Sequence, residues 1–136
     1  SKMGYLTIVI SNRPDIATGH ISWDLLKQMD KILFSKTNLT DIFYCPHLDG
    51  DNCLCRKPNT GMIDNATEKY NIDLSKSIVV GDRWRDIDCG IKSNCKTIFI
   101  NYNYSEKLNN TPHAVVDNLV SGVKIIERWS ANDGPK

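Results

Sequence analysis

Apolar residues in this chain gather into short runs, and the residues between the runs carry turn chemistry. Tyr5-Leu6-Thr7-Ile8-Val9-Ile10 is a continuous, β-branched-rich run of the kind expected of a parallel strand covered on both faces. It stops at Ser11-Asn12-Arg13-Pro14-Asp15, a polar loop rich in turn formers. Ser22 is a candidate N-cap for a helix from Trp23 to about Phe34, in which Trp23, Leu26, Met29 or Asp30, and Leu33 trace one face. Asp41 to Tyr44 predicts a second strand, and Thr60 or Gly61 opens a helix through Met62, Ile63, Ala66 and Tyr70. Ser77 to Val80 predicts a third strand that ends at Gly81-Asp82, followed by a short helix over Asp86 to Ser93. Lys96 to Ile100 is a fourth strand, Ala114 to Val116 a small edge strand, and Leu119 to Trp129 a closing helix. The Asn-rich stretch 101–110 reads as an exposed loop. Strands alternating with helices of this length predict an α/β fold with a mostly parallel sheet flanked by helices. One domain over 1–130, with a flexible tail at 131–136, is the expected organisation.

Composition narrows the function classes. With 136 residues, 40% apolar and 24% charged, the chain has the make-up of one globular domain. A net charge of +1 gives no nucleic-acid footprint and no electrostatic hold on a membrane. No apolar run approaches the roughly 20 residues that span a bilayer. The first residues lack the regions of a secretion signal. Five cysteines is an odd number, and three of them cluster with a histidine, which argues for metal in a reducing compartment over a disulfide framework. A cytoplasmic location is expected.

That cluster is Cys45-Pro46-His47-Leu48-Asp49-Gly50-Asp51-Asn52-Cys53-Leu54-Cys55-Arg56-Lys57-Pro58. A C-x-H pair and a C-x-C pair on opposite arms of a loop supply the four N and S ligands of a tetrahedral Zn²⁺ site. Because Cys45, His47, Cys53 and Cys55 fill every position, the site is expected to be closed and structural. The competing reading is free thiols in a reduced protein beside a surface histidine. Beyond the loop, Arg56 and Lys57 would be held where they can meet an anion; the competing reading of Lys57 is a solvated surface residue. Cys89 and Cys95 lie in helix-like and strand-like contexts and read as small core residues.

In an open parallel sheet, ligands bind outside the carboxyl ends of the strands. Ser11-Asn12, the cysteine loop, Gly81-Asp82 and the loop after Ile100 all fall at such ends. A hydroxyl and an amide at Ser11-Asn12 suit phosphoryl oxygens, although strand-end Ser-Asn pairs are commonly turn residues. Asp82 and Asp86, four apart at a strand–helix junction, suit a hard cation such as Mg²⁺. The plainer alternative makes Asp86 an N-cap.

Taken together, Ser11-Asn12, the loop from Cys45 to Pro58, and Val80-Gly81-Asp82-Arg83-x-x-Asp86 resemble the haloacid dehalogenase (HAD) superfamily, in particular its zinc-loop phosphatases of the heptose-bisphosphate and histidinol-phosphate type. Asn12 to Gly19 also resembles that group's loop after its second motif, where glutamine commonly stands in place of Arg13. The resemblance reaches to about Tyr104. It implies phosphoryl binding by Ser11 and Asn12, charge neutralisation by Lys57, and a catalytic Mg²⁺ on Asp82 with Asp86 as the second acidic position. It further implies substrate contacts from Arg56 and Arg83, and zinc on Cys45, His47, Cys53 and Cys55. The implied activity is hydrolysis of a small phosphorylated metabolite, with a sugar phosphate such as heptose bisphosphate as substrate.

One departure stands out. The group's first motif, Asp-x-Asp-Gly-Thr, carries the nucleophile and the general acid/base on a central strand. Asp49-Gly50-Asp51 and Asp86-Ile87-Asp88 have the spelling, but one lies in the cysteine loop and the other in a predicted helix. The resemblance therefore implies a sheet lacking its central strand, with the strands ending at Ser11 and Asp82 unpaired on facing edges. The expectation is a fragment, inactive alone and monomeric, whose missing strand comes from an absent segment or another chain. The rival from another class is a non-catalytic, zinc-stabilised phosphate-binding module. A redox role for Cys53-Leu54-Cys55 fits poorly, because redox pairs space their thiols C-x-x-C.

Overall fold

The computed structural model describes residues 5–12, 22–36, 38–47 and 53–133. Arg13-Pro14-Asp15, the rest of the stretch to Gly19, and the Asp49-to-Asn52 turn of the cysteine loop lie outside them.

The described residues form β1 (Ile8–Asn12), α1 (Trp23–Lys36), β2 (Asp41–Cys45), α2 (Gly61–Tyr70), β3 (Ile78–Gly81), α3 (Trp84–Lys92), β4 (Lys96–Ile100), β5 (Ala114–Val116) and α4 (Leu119–Asp133), strands and helices alternating except between β4 and β5. A 3-10 turn at Leu74–Lys76 precedes β3. Every ladder is parallel, as the alternation predicts. The ladders form two separate sheets, β1-β2 and β3-β4-β5, and none joins β1 to β3 among the described residues. The break falls where the resemblance implies an absent central strand.

The larger sheet carries the core. Ile98, Ile100 and Val116 are buried, and Ile78, Val80, Ala114, Ile125, Ile126 and Trp129 pack around them. Each such aliphatic side chain contributes roughly 1.5–3 kcal/mol when fully withdrawn from water. On the β1-β2 sheet only Cys45 is buried, and the other nine strand residues are half-buried. β1 is therefore not the strand covered on both faces that its composition predicts; among the described residues it pairs with β2 alone.

Several boundaries move for local reasons. β1 starts three residues later than the apolar run and takes in Ser11 and Asn12, because the register with β2 continues to the pair Asn12 and Cys45. Leu6, left out of the strand, is 52% exposed. β3 runs from Ile78 to Gly81, one residue beyond the predicted span at its carboxyl end. α3 begins at Trp84 and not at Asp86, since the Asp86 carboxylate reaches back to the Arg83 N–H from inside the first turn. The closing helix continues past Trp129 to Asp133, into the expected tail. Ser22 does cap α1, its hydroxyl accepting from the Leu25 N–H at 3.1 Å. On the face predicted for that helix, Asp30 meets the Tyr44 hydroxyl of β2, while Met29 is 44% exposed.

Candidate phosphate and metal site

The candidate site stands at the carboxyl ends of β1, β2 and β3. Cys45 closes β2, and its thiol lies 3.4 Å from His47 Nδ1, 3.5 Å from Cys53 Sγ and 2.7 Å from Cys55 Sγ. His47 Nδ1 is also 3.3 Å from Cys55 Sγ. The four ligand atoms all lie within 4.8 Å of one another, and all five cysteines are free thiols. This donor set fits a tetrahedral soft or borderline cation such as Zn²⁺. Burial pushes the Cys55 thiol up to about 12, aided by Cys45 and Cys53. Burial also raises Cys53, but hydrogen bonds from the Arg56 backbone and the two neighbouring thiols outweigh it and bring Cys53 to about 7. Three crowded thiols resist becoming thiolates together unless a cation shares their charge.

The loop is sewn to the helix that follows. Gly61 donates to the Leu54 carbonyl at 2.8 Å, and a Cβ on Gly61 would sit 2.4 Å from that oxygen, so only glycine fits there. Asn59 donates to the Cys53 carbonyl at 2.9 Å and accepts from the Cys89 thiol of α3 at 3.3 Å. Cys89 is fully buried, as expected of a core residue, and burial lifts its thiol to about 12. Arg56 donates from its guanidinium to the His47 carbonyl at 3.1 Å.

Lys57 leaves this braced loop and ties β1 to α3. Its backbone N–H donates to Asn12 Oδ1 at 3.0 Å. Its ammonium donates to the Ile10 carbonyl of β1 at 3.1 Å and to Asp86 Oδ1 of α3 at 2.5 Å. Both side chains of this ion pair are nearly buried, 13% and 12% exposed. Lys57 is thus held in place and does not behave as a solvated surface lysine.

Asp86 has two duties in the structure, as counter-ion to Lys57 and as acceptor for the Arg83 N–H. Its side chain lies against Gly81, where an added Cβ would come within 2.2 Å of Asp86 Cβ. Asp82, half-buried beyond Gly81, accepts from the Tyr104 hydroxyl at 3.1 Å. A Mg²⁺ ion uses one or two protein carboxylates with waters and phosphate oxygens, and Asp82 is placed to supply one. Ser11 and Asn12 close β1 at the same end of the fold.

The structure also brings in residues that spacing does not single out. Glu106 accepts from the Trp84 N–H at 3.2 Å and pairs with the Arg83 guanidinium at 3.2 Å. Arg83 lies over the Tyr104 ring, 4.1 Å from its centroid. Behind them, the Asn109 and Asn110 amides donate to buried Asp88 at 3.3 and 2.7 Å, holding the loop against α3. The only hint in the chain is the placement of this loop after a strand end. Among the described residues no helix is long and apolar enough to cross a membrane.

Comparison with known proteins agrees with this geometry. Residues 54–121, half of the chain, match the HAD-hydrolase-like family. The chain is 35% identical to the D-glycero-alpha-D-manno-heptose-1,7-bisphosphate 7-phosphatase of Photorhabdus laumondii, over 92% of this chain and 75% of that protein. It is 38% identical to the D-glycero-beta-D-manno-heptose-1,7-bisphosphate 7-phosphatase of Haemophilus influenzae, over 70% of this chain but only 58% of that protein. Its fold superposes with a TM-score of 0.81, at 22% identity, on the D,D-heptose 1,7-bisphosphate phosphatase of B. bronchiseptica solved with magnesium and phosphate, covering 95% of this chain and 78% of that one.

Proposed function

The chain belongs to the HAD-like hydrolase family, and from that premise we propose that it forms the phosphate-binding part of a Mg²⁺-dependent phosphatase acting on a small phosphorylated sugar. The observation that carries this reading is the course of Lys57, which joins β1, the cysteine loop and Asp86 at one sheet edge. An ammonium held there, beside Ser11, Asn12 and Asp82, suits a phosphoryl group with two or three charged oxygens.

In this reading Ser11 and Asn12 donate to the phosphoryl oxygens. Lys57 offsets the charge that builds on them, and Asp86 keeps Lys57 charged and aimed. Mg²⁺ on Asp82, when bound, supplies further neutralisation of the transferring group. Arg56 and Arg83 contact the substrate's remainder. Zn²⁺ on Cys45, His47, Cys53 and Cys55 holds the loop that carries Arg56 and Lys57. The attacking aspartate stands on a further strand between β1 and β3, supplied by a segment beyond these 136 residues or by another chain. Its oxygen bonds to phosphorus as the P–O bond to the sugar breaks. The departing sugar oxygen takes a proton from a neighbouring acid, and water then cleaves the acyl phosphate. That no ladder joins β1 to β3 among the described residues supports this placement.

Heptose 1,7-bisphosphate, the substrate named for the relatives, is tested with p-nitrophenyl phosphate and a broad panel of phosphates. The full-length protein should hydrolyse one or more of them with Mg²⁺, and Lys57→Met should abolish turnover. An intact protein with no Mg²⁺-dependent turnover across the panel sinks the proposal. One observation favours a second reading, a phosphate-binding module without catalysis: Asp86-Ile87-Asp88 lies inside α3, so no described strand ends in an Asp-x-Asp. The coding sequence ahead of Ser1 discriminates, an in-frame Asp-x-Asp supporting the enzyme.

A further inference from the structure

The loop between β4 and β5 turns back over the site and meets it with two side chains, Tyr104 and Glu106. Tyr104 donates to Asp82, the residue at the tip of β3. Glu106 takes the first N–H of α3 with one carboxylate oxygen and the Arg83 guanidinium with the other. Arg83 is sandwiched by these contacts, with the Tyr104 ring on one side and Tyr102 a further 6.0 Å from that ring. Tyr102 and Tyr104 keep 50% and 43% of their surface exposed, so part of this aromatic pair faces solvent next to the Arg83 guanidinium.

The Arg83 charge at this rim is already paired. A cation at the position of Arg83 would attract a second phosphate on the substrate, but here a carboxylate of the same chain holds it. An incoming phosphate has to displace Glu106 or sit beside its negative charge. Aromatic rings with polar tips instead suit the C–H faces and hydroxyls of an uncharged sugar or polyol.

We infer that Glu106, with Tyr104, is a specificity-determining residue that tunes this rim for the neutral part of a sugar monophosphate and against a second phosphate. The inference rests on the phosphatase reading above and narrows its substrate class. Three substrates test it in the full-length protein with Mg²⁺: p-nitrophenyl phosphate, glucose 6-phosphate and fructose 1,6-bisphosphate. The kcat/KM values for the two sugars are each normalised to p-nitrophenyl phosphate. Glu106→Gln removes the charge while its amide oxygen can still accept from the Trp84 N–H, so the helix cap is preserved. The bisphosphate-to-monophosphate ratio should rise roughly three- to fivefold in this variant, the size expected for one exposed charge pair. Glu106→Asp, which keeps the charge, should stay near the wild-type ratio. An unchanged ratio in Glu106→Gln overturns the inference alone, as does an equal shift in Glu106→Asp. Failure of the wild type to turn over even p-nitrophenyl phosphate overturns the phosphatase reading, and this inference with it.

Discussion

Between Gly61 and Asp133 the chain buries Met62, Ile63, Ala66, Ile87, Cys89, Cys95, Ile98, Ile100 and Val116, whereas between Tyr5 and Lys57 the only buried apolar residue among those described is Cys45. The first region owns a three-stranded sheet with a helix-covered core. The second has two half-buried strands and a helix that exposes Leu25, Met29 and Ile32. Yet the two contribute equally to the candidate site, one through Asp82 and Asp86 and the other through Ser11, Asn12 and Lys57. The difference is in how the groups are held. Asp86 is positioned by core packing, since Gly81 leaves it room and α3 is buried behind it. Ser11, Asn12 and Lys57 are positioned by polar ties and by the cysteine loop.

The sharpest way to break this contrast is to remove the metal loop. A structural zinc site contributes on the order of 10 kcal/mol where folding depends on it. Metal analysis should find about one zinc per chain, lost in Cys53→Ser. Hydrogen exchange in that variant should then show β1 and β2 deprotected while β3, β4 and β5 keep their protection. A stable zinc-free protein with both sheets protected equally would remove the basis of the contrast.

Next in size is the tie between the regions. Truncating one partner of a nearly buried ion pair leaves the other charge uncompensated, typically at about 3–5 kcal/mol. Lys57→Met should therefore lower denaturant stability by about 3 kcal/mol, and Lys57→Met combined with Asp86→Leu should recover part of it. If the double variant is as unstable as the sum of the singles, the pair is not coupled.

A smaller effect belongs to the packed region. Gly81→Ala drives a methyl into the Asp86 side chain and should cost about 1–3 kcal/mol in thermal denaturation, the usual penalty of overpacking. A neutral result would show that Asp86 is freer to move than core packing implies.

The smallest concerns the amino end of β2. Asp41 accepts from Lys69 at 2.7 Å and from Tyr70 at 2.6 Å. Burial alone would raise its pKa, but those hydrogen bonds outweigh it and hold the carboxyl below its usual value. A depressed folded-state pKa stabilises above the unfolded value, about 4, and that contribution disappears as pH falls through the folded value. Asp41→Asn should thus cost less than about 1 kcal/mol at pH 7. The gap from wild type should close below about pH 4, and a gap constant with pH would point to packing and not charge.

What could be read from the chain itself follows the range of the forces involved. Helices and strands announce themselves through neighbours a few residues apart, so β4 and β5 fall where the apolar pattern places them. The cysteine loop is equally local, its candidate ligands lying within Cys45 to Cys55. Strand ends and the Ser11-Asn12, Lys57 and Asp82 positions could be read for the same reason, with the family resemblance assigning their roles. Only the tertiary structure decided that Asp86 serves Lys57, 29 residues away, and caps α3 from within. It alone brought Glu106 to Arg83, Tyr104 to Asp82 and Asn59 between the cysteine loop and Cys89. Those contacts depend on where two helices and a loop come to rest on a sheet, and no spacing along the chain encodes that distance.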